Sequence, residues 1–286
     1  MKKILVTGAN GQLGQCLQKI SSQFEEFEFI FTDSETLDIT NKEEVNDFFW
    51  QNAPDFCINA AAYTAVDLAE TDIEKAFLVN ADGAENLAEA CAENNAQFIH
   101  VSTDYVFDGE NNLAYTEEDF TNPLGVYGAS KLAGDELALE VNPCSVILRT
   151  SWVYSEFGKN FVKTMLNLFA TKEELNIVAD QFGQPTNAND LAEAIMKIIK
   201  SEKITPGIFN FSNLGRISWF DFAEKIAELS DAKIKLNAIE TSQYPTPAKR
   251  PKNSVLDLDK ISKTYAIQLK PWEESLEDCV QILQNN

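Results

Sequence analysis

The sequence predicts an α/β fold: a doubly wound parallel sheet with a smaller C-terminal portion. Three observations lead there. Short apolar runs alternate with helical patterns through the first half of the chain, a glycine-rich turn joins the first run to the first helix, and the regular alternation ends after Trp152.

The first run, Ile4 to Thr7, stops at a polar turn, so it reads as a buried strand and not as the apolar part of a signal peptide. Phe29 to Phe31 and Phe56 to Asn59 read as the next strands, which makes the opening βαβαβ. The helix between them begins at Thr40-Asn41-Lys42-Glu43, with the spacing of a capping box in which Thr40 caps and Glu43 reaches back. A helical region from Asp72 to Asn94 carries Ala76, Phe77, Val79, Ala84, Leu87, Ala88 and Cys91 at helical spacing, and Phe98 to Ser102 follows as a strand. Tyr127 to Glu140 is helical in pattern and Ser145 to Arg149 is a fifth strand. Beyond it, helices are expected around Asn160 to Ala170, Asp190 to Lys200, Phe220 and Leu276, with a short strand at Ile208 to Phe211. Pro245, Pro247 and Pro251 mark an extended loop.

Charge narrows the possible partners. The 286 residues carry 45 acids against 23 Lys and Arg, a formal charge of -22, which repels nucleic acid and anionic membranes. A pyrophosphate-bearing substrate would need a local basic group, and Arg250 and Lys252 are the candidates. No stretch approaches the roughly 18 apolar residues that span a bilayer. Cys16, Cys57, Cys91, Cys144 and Cys279 form no CxxC pair, which fits a reducing, cytoplasmic setting. The single histidine, His100, lies in an apolar run and reads as a strand residue, so no Cys/His zinc site is expected.

The first turn, Gly8-Ala9-Asn10-Gly11-Gln12-Leu13-Gly14, has the pattern GxxGxxG between strand and helix. Such glycines let a dinucleotide pyrophosphate approach backbone amides at the helix N-terminus, where the peptide dipoles favour negative charge. Asp33 follows Gly14 by 19 residues, at the end of the second strand, where a carboxylate can accept from an adenosine ribose. That placement favours NADH, with Asp38 competing for the role and no arginine nearby for a 2'-phosphate. The expected organisation is therefore a Rossmann-type NAD(P)-binding unit over residues 1–150, joined by a later segment near 187–206, and a substrate-binding portion over 151–286.

Tyr127-Gly128-Ala129-Ser130-Lys131 places a phenol and an amine four apart, on one helical face. An ammonium favours the phenolate, so Lys131 is expected to lower the Tyr127 pKa toward neutrality and to hold a ribose. Thr103 ends its strand at the crevice where doubly wound folds bind ligands, and its hydroxyl could hold a substrate carbonyl. Glycine turn, Tyr/Lys pair and strand-end threonine together describe a reduction site.

These residues resemble the extended short-chain dehydrogenase/reductases. Ser102-Thr103-Asp104-Tyr105-Val106-Phe107-Asp108-Gly109 is similar, more narrowly, to the dTDP-4-dehydrorhamnose reductase family. So are the segments Asn59 to Asp67, Arg149 to Tyr154, Asp180 to Thr186 and Arg250 to Asp257, and the likeness runs over most of the chain. The resemblance implies cofactor contacts at Gly11, Gln12, Leu13, Asp38, Ile39, Ala62, Tyr63, Thr64, Tyr127 and Lys131. It implies sugar contacts at Thr103, Asp104 and Trp152, with Val66 and Tyr105 as weaker candidates. The implied reaction is NADPH- or NADH-dependent reduction of the C4 ketone of a deoxyhexose nucleotide, giving dTDP-L-rhamnose for cell-surface polysaccharide. Some members form a metal-bridged dimer through acids that include one just beyond the last glycine of the turn. Gln15 and Cys16 stand there in this chain, so the resemblance carries Mg2+ and that dimer only weakly, and monomer and homodimer both stay open.

Two other readings compete. A sugar-nucleotide epimerase or dehydratase shares the Tyr/Lys pair, but dehydratases usually carry a further acid where Tyr105 follows Asp104. A non-catalytic regulatory subunit would keep the dinucleotide site, yet damage to the Tyr/Lys pair or the turn would be expected there, and Tyr127, Lys131 and Thr103 are intact.

Overall fold

The computed structural model describes residues 1–285. Its centre is a six-stranded parallel sheet. Five strands come from the first half, β1 (Lys2–Thr7), β2 (Phe27–Phe31), β3 (Phe56–Asn59), β4 (Gln97–Thr103) and β5 (Val146–Thr150). They run in the order β5, β4, β3, β1, β2, and the strand Gly207–Asn210 pairs in parallel with β5 at the far edge. The short run at Ile208, grouped by sequence with the C-terminal portion, thus completes the large sheet.

Both faces are covered, as unbroken apolar strands require. On one face α1 (Gln12–Ser21) and the helix Ala188–Ile199 bury Leu13, Leu17, Leu191 and Ile195 against Ile4, Val6, Ile58 and Ile99. On the other, α2 (Lys42–Asn52) and the helix Gly83–Asn94 bury Val45, Phe49, Leu87 and Cys91 against Leu5, Cys57, Phe98 and Ile147. The N-cap of α2 is Asn41, one residue later than the expected Thr40: its side chain accepts from the amides of Glu43 and Glu44. The Thr40 hydroxyl goes instead to Asp38, and Glu44, not Glu43, reaches back, accepting from the Asp38 amide.

A second apolar cluster forms beyond β5. Helices Phe161–Phe169, Trp219–Leu229 and Trp272–Asn285 bury Val162, Met165, Phe222, Ile226, Trp272 and Leu276 together with Tyr154. Ser218 and Asp221 form a full capping box at the start of the second of these helices.

The helical region after Asp72 is broken by a π-type turn. Ile73–Phe77 and Gly83–Asn94 are α-helical, with the wider turn Leu78–Asp82 between them. Such turns commonly mark functional places. Here the turn carries buried Asn80, whose amide donates to the Tyr63 carbonyl and the Ser130 hydroxyl, while its oxygen accepts from the Tyr63 amide. One side chain thereby ties the loop after β3 to the helix Val126–Val141, which carries Tyr127. The close approach depends on Gly134, where a Cβ would collide with the Asn80 carbonyl oxygen. Gly134→Ala is therefore expected to lower the unfolding free energy by about 1–3 kcal/mol in urea denaturation; wild-type stability would mean that the two segments separate at little cost.

Candidate active site

The glycine turn leads from β1 into α1. Gly8 adopts φ of 68°, and a Cβ there would come within 2.6 Å of the Ala61 amide nitrogen. At Gly14 a Cβ would lie 2.6 Å from the Ala9 backbone, so only hydrogen lets the helix start so near the turn. Gly11 caps α1 without a side-chain partner, which leaves helix N-terminal amides for an anion. Beside the turn a groove of about 370 Å³ is lined by Gly8, Asn10, Gly11, Asp33, Glu35, Asp38, Ile39, Ala61 and Ala62, among others.

Structure separates the roles open to these residues. Leu13 is buried in the core, so it can offer only its backbone. The Gln12 side chain is engaged elsewhere, accepting from Asn160 Nδ2 at 2.8 Å and Ser155 Oγ at 3.2 Å. Asp33 already accepts from the amides of Glu35 and Thr36, the Thr36 hydroxyl and Asn10 Nδ2, and these donors, Thr36 first, hold its carboxyl below the ordinary range. Asp38 is exposed and bonded to Thr40. Tyr63 is held through its backbone by Asn80, and Thr64 is exposed on the loop that follows.

At the carboxyl end of the sheet, Thr103 closes β4 opposite Thr150 of β5. Its hydroxyl donates to Asp104 Oδ1 at 3.1 Å and lies beside the Tyr127 phenol, whose pKa it draws down. Burial is the larger effect and pushes Tyr127 up to about 12. The expectation that Lys131 brings this phenol toward neutrality is thus corrected: burial, with the Asp104 and Asp135 carboxylates adding to it, outweighs the Thr103 hydroxyl, and the phenol keeps its proton at neutral pH. Lys131 itself is 1% exposed. Its Nζ donates to the Val101 carbonyl at 2.8 Å and lies 2.9 Å from His100 Nε2. Burial brings its pKa down to about 8, against the pull of Asp135.

Asp104 is 2% exposed, and its Oδ2 has no hydrogen-bond partner among the described residues. Burial raises its pKa to about 6, although the Ser254 and Thr103 hydroxyls pull the other way. The Tyr105 ring meets Tyr127 edge-on, with centroids 5.6 Å apart. Trp152 follows β5 by two residues at φ of 46° and stacks on Trp219 with centroids 3.5 Å apart, so it belongs to the second cluster. Arg250, a candidate counter-charge, is paired with Asp67 at 2.8 Å, and Lys252 is exposed. Gln15 donates to the Asn10 carbonyl, and the Cys16 thiol is pushed up to about 12, chiefly by burial.

Sequence reasoning missed Asn59, Asn80 and Asp135, and treated His100 as a strand residue alone. The polar strand ends of β3 and β4 were the available signal, since the carboxyl edge of a parallel sheet is where ligands bind.

Sheet order, glycine turn and the Tyr127 helix together define the class of Rossmann-type reductases. The chain belongs to the family described as "RmlD substrate binding domain", whose model matches residues 1–285. It is 45% identical over 288 residues to a dTDP-4-dehydrorhamnose reductase of Aggregatibacter actinomycetemcomitans, covering 97% of this chain and 98% of that one. Among solved structures, a dTDP-4-dehydrorhamnose reductase of Clostridium acetobutylicum superposes with a TM-score of 0.94 at 43% identity, covering 99% of each chain. The enzyme of that name from Bacillus anthracis, solved in complex with NADP, gives 0.95 at 39% identity, covering 99% of this chain and 100% of that one.

The raised pKa of Asp104 has a measurable consequence. Its folded form holds a proton more tightly than the unfolded chain does, so stability falls as pH rises from about 4 to about 6. Asp104→Asn is expected to be more stable than the parent at about pH 7, by on the order of 2 kcal/mol. The gap should close below about pH 4 in denaturant titrations run across that range; a gap that does not change with pH would show that the carboxyl is not desolvated.

Proposed function

We propose that this chain reduces the C4 ketone of dTDP-4-dehydro-L-rhamnose to the alcohol of dTDP-L-rhamnose, with NADH or NADPH as reductant. The observation that carries the proposal is the Tyr127 phenol beside Thr103 at the carboxyl end of β4, with Lys131 one turn further along the same helix. The named relatives span the same length and support the choice of substrate.

The glycine turn fits a dinucleotide: side chains at Gly8 and Gly14 would fill the place where backbone must come close, and α1 offers unpaired amides to a pyrophosphate. The groove's acids, Asp33, Glu35 and Asp38, with no Lys or Arg among its lining residues, support NADH over NADPH. The NADP complex of the Bacillus anthracis relative is the reason to assay both.

The reduced nicotinamide supplies the hydride. Thr103 would hold the ketone oxygen through its hydroxyl, and Tyr127 would give that oxygen its phenolic proton as charge develops. A phenol kept protonated by burial is the form this direction of reaction needs. Asp104 and Trp152 would face the sugar, with residues beyond β5 forming the wall of the substrate-binding portion.

Oxidation of NADH and NADPH, followed by absorbance with enzymatically generated dTDP-4-dehydro-L-rhamnose, tests the proposal. Sugar-dependent consumption is expected; nucleotide binding without consumption would overturn it. Tyr127→Phe should bind the nucleotide as the parent does while turning over about 10²–10⁴-fold more slowly, because only the proton donor is lost.

A further inference from the structure

Asn59, His100 and Lys131 form a buried chain of polar groups, of which the reaction above uses Lys131 alone. Asn59 ends β3, His100 lies beside it in β4, and each is 1% exposed. The Asn59 amide has one satisfactory orientation. Its Oδ1 accepts from the Ala61 backbone N–H at 3.1 Å and the Thr7 hydroxyl at 2.7 Å, and a backbone N–H can only donate. Its Nδ2 then donates to His100 Nδ1 at 3.0 Å.

A neutral imidazole that accepts at one nitrogen carries its proton on the other. Burial, helped by Lys131, keeps His100 well below its ordinary pKa, so the ring is neutral and its proton sits on Nε2. That nitrogen is 2.9 Å from Lys131 Nζ. It is also 3.8 Å from Asp135 Oδ1, a buried oxygen with no hydrogen-bond partner among the described residues, which favours the same tautomer.

An N–H aimed at an amine disfavours the ammonium and favours the free lone pair. We propose that His100, held as its Nε2–H tautomer by Asn59, is a positioning residue that stabilises uncharged Lys131 and so lets the lysine pass its proton to Tyr127 in each turnover. This rests on the Tyr127/Lys131 reading given above. Tyr127 loses its phenolic proton to the substrate alkoxide; the Lys131 ammonium gives a proton to the phenolate; the freed lone pair on Nζ accepts from His100 Nε2–H until water restores the proton.

The groups facing Lys131 are accounted for by element. From β4 come the His100 ring and the Val101 carbonyl; from its own helix comes Asp135, with Tyr127 one turn before the lysine; behind Asp135 stands Arg149 of β5, whose Nε lies 3.3 Å from Asp135 Oδ2 and offsets that carboxylate. With burial leading, the amine comes down to about 8, near enough to neutrality to release a proton that an ordinary lysine keeps.

His100 is the chain's one histidine, so 15N-histidine labelling of the whole protein shows a single imidazole. A long-range 1H–15N spectrum is expected to show Nε2 protonated and Nδ1 bare between about pH 6 and 9. An Nδ1–H tautomer or an imidazolium would overturn the proposal, with no assay of turnover required. The pH profile supplies the second reading. Turnover should fall as pH rises through the Lys131 pKa, and His100→Leu should move that basic limb upward by about one pH unit. His100→Gln, which can present an N–H near the place of Nε2, should leave the limb where it is. A limb unmoved in His100→Leu, with Tyr127→Phe inactive, overturns the role of His100 alone. Full turnover in Tyr127→Phe overturns the reading of the site, and this proposal with it.

Discussion

Lys131 reaches from its helix into the sheet, and its amine ends between the Val101 carbonyl and the His100 ring with almost no exposed surface. An amine taken that far from water gives up its proton more readily, so its seat has to be fixed by the groups around it. Much of the surrounding structure serves that requirement. The helix must lie close, which Gly134 and the Asn80–Ser130 hydrogen bond permit. β4 must turn a carbonyl toward the amine, and Asp135 must stand one helical turn away with Arg149 behind it. Tyr127 takes its place one turn before Lys131, so the phenol's position follows from the seat of the amine.

The parts of the fold that depend on local spacing were legible. The glycine turn, the Tyr/Lys interval and the strand-end Thr103 each involve residues near one another in sequence, and the structure puts them at one edge of the sheet. What could not be read depends on partners far away. A short apolar run at Ile208 says strand, but pairing with β5 is decided across some sixty residues of chain. His100 looked like any strand residue because its partners, Asn59 and Lys131, come from a neighbouring strand and a later helix. Thr40 had the chemistry of a cap, and lost the place to Asn41 because Asp38 claimed its hydroxyl. For Tyr127 the spacing announced an amine nearby, whereas the degree of burial, which decides the direction of the shift, is a property of the packed site.

Charge behaves similarly at two scales. The chain as a whole is strongly acidic, and the groove beside the glycine turn is lined by three acids. An anionic ligand must therefore be met by oriented peptide amides at the start of α1 and by few cationic side chains. Arg250 carries its own counter-ion in Asp67, so an incoming phosphate would have to share the guanidinium with that carboxylate or displace it.

The path of the backbone carries a mechanical consequence. After Thr150 the chain leaves the sheet for the second cluster, returns in the helix Ala188–Ile199 and the edge strand Gly207–Asn210, and leaves again to build Trp219–Leu229. It comes back once more where the helix Asp259–Tyr265 packs on that edge strand, then departs for the helix Trp272–Asn285. A swing of one lobe against the other would have to bend all of these connections together, and no single hinge could absorb it.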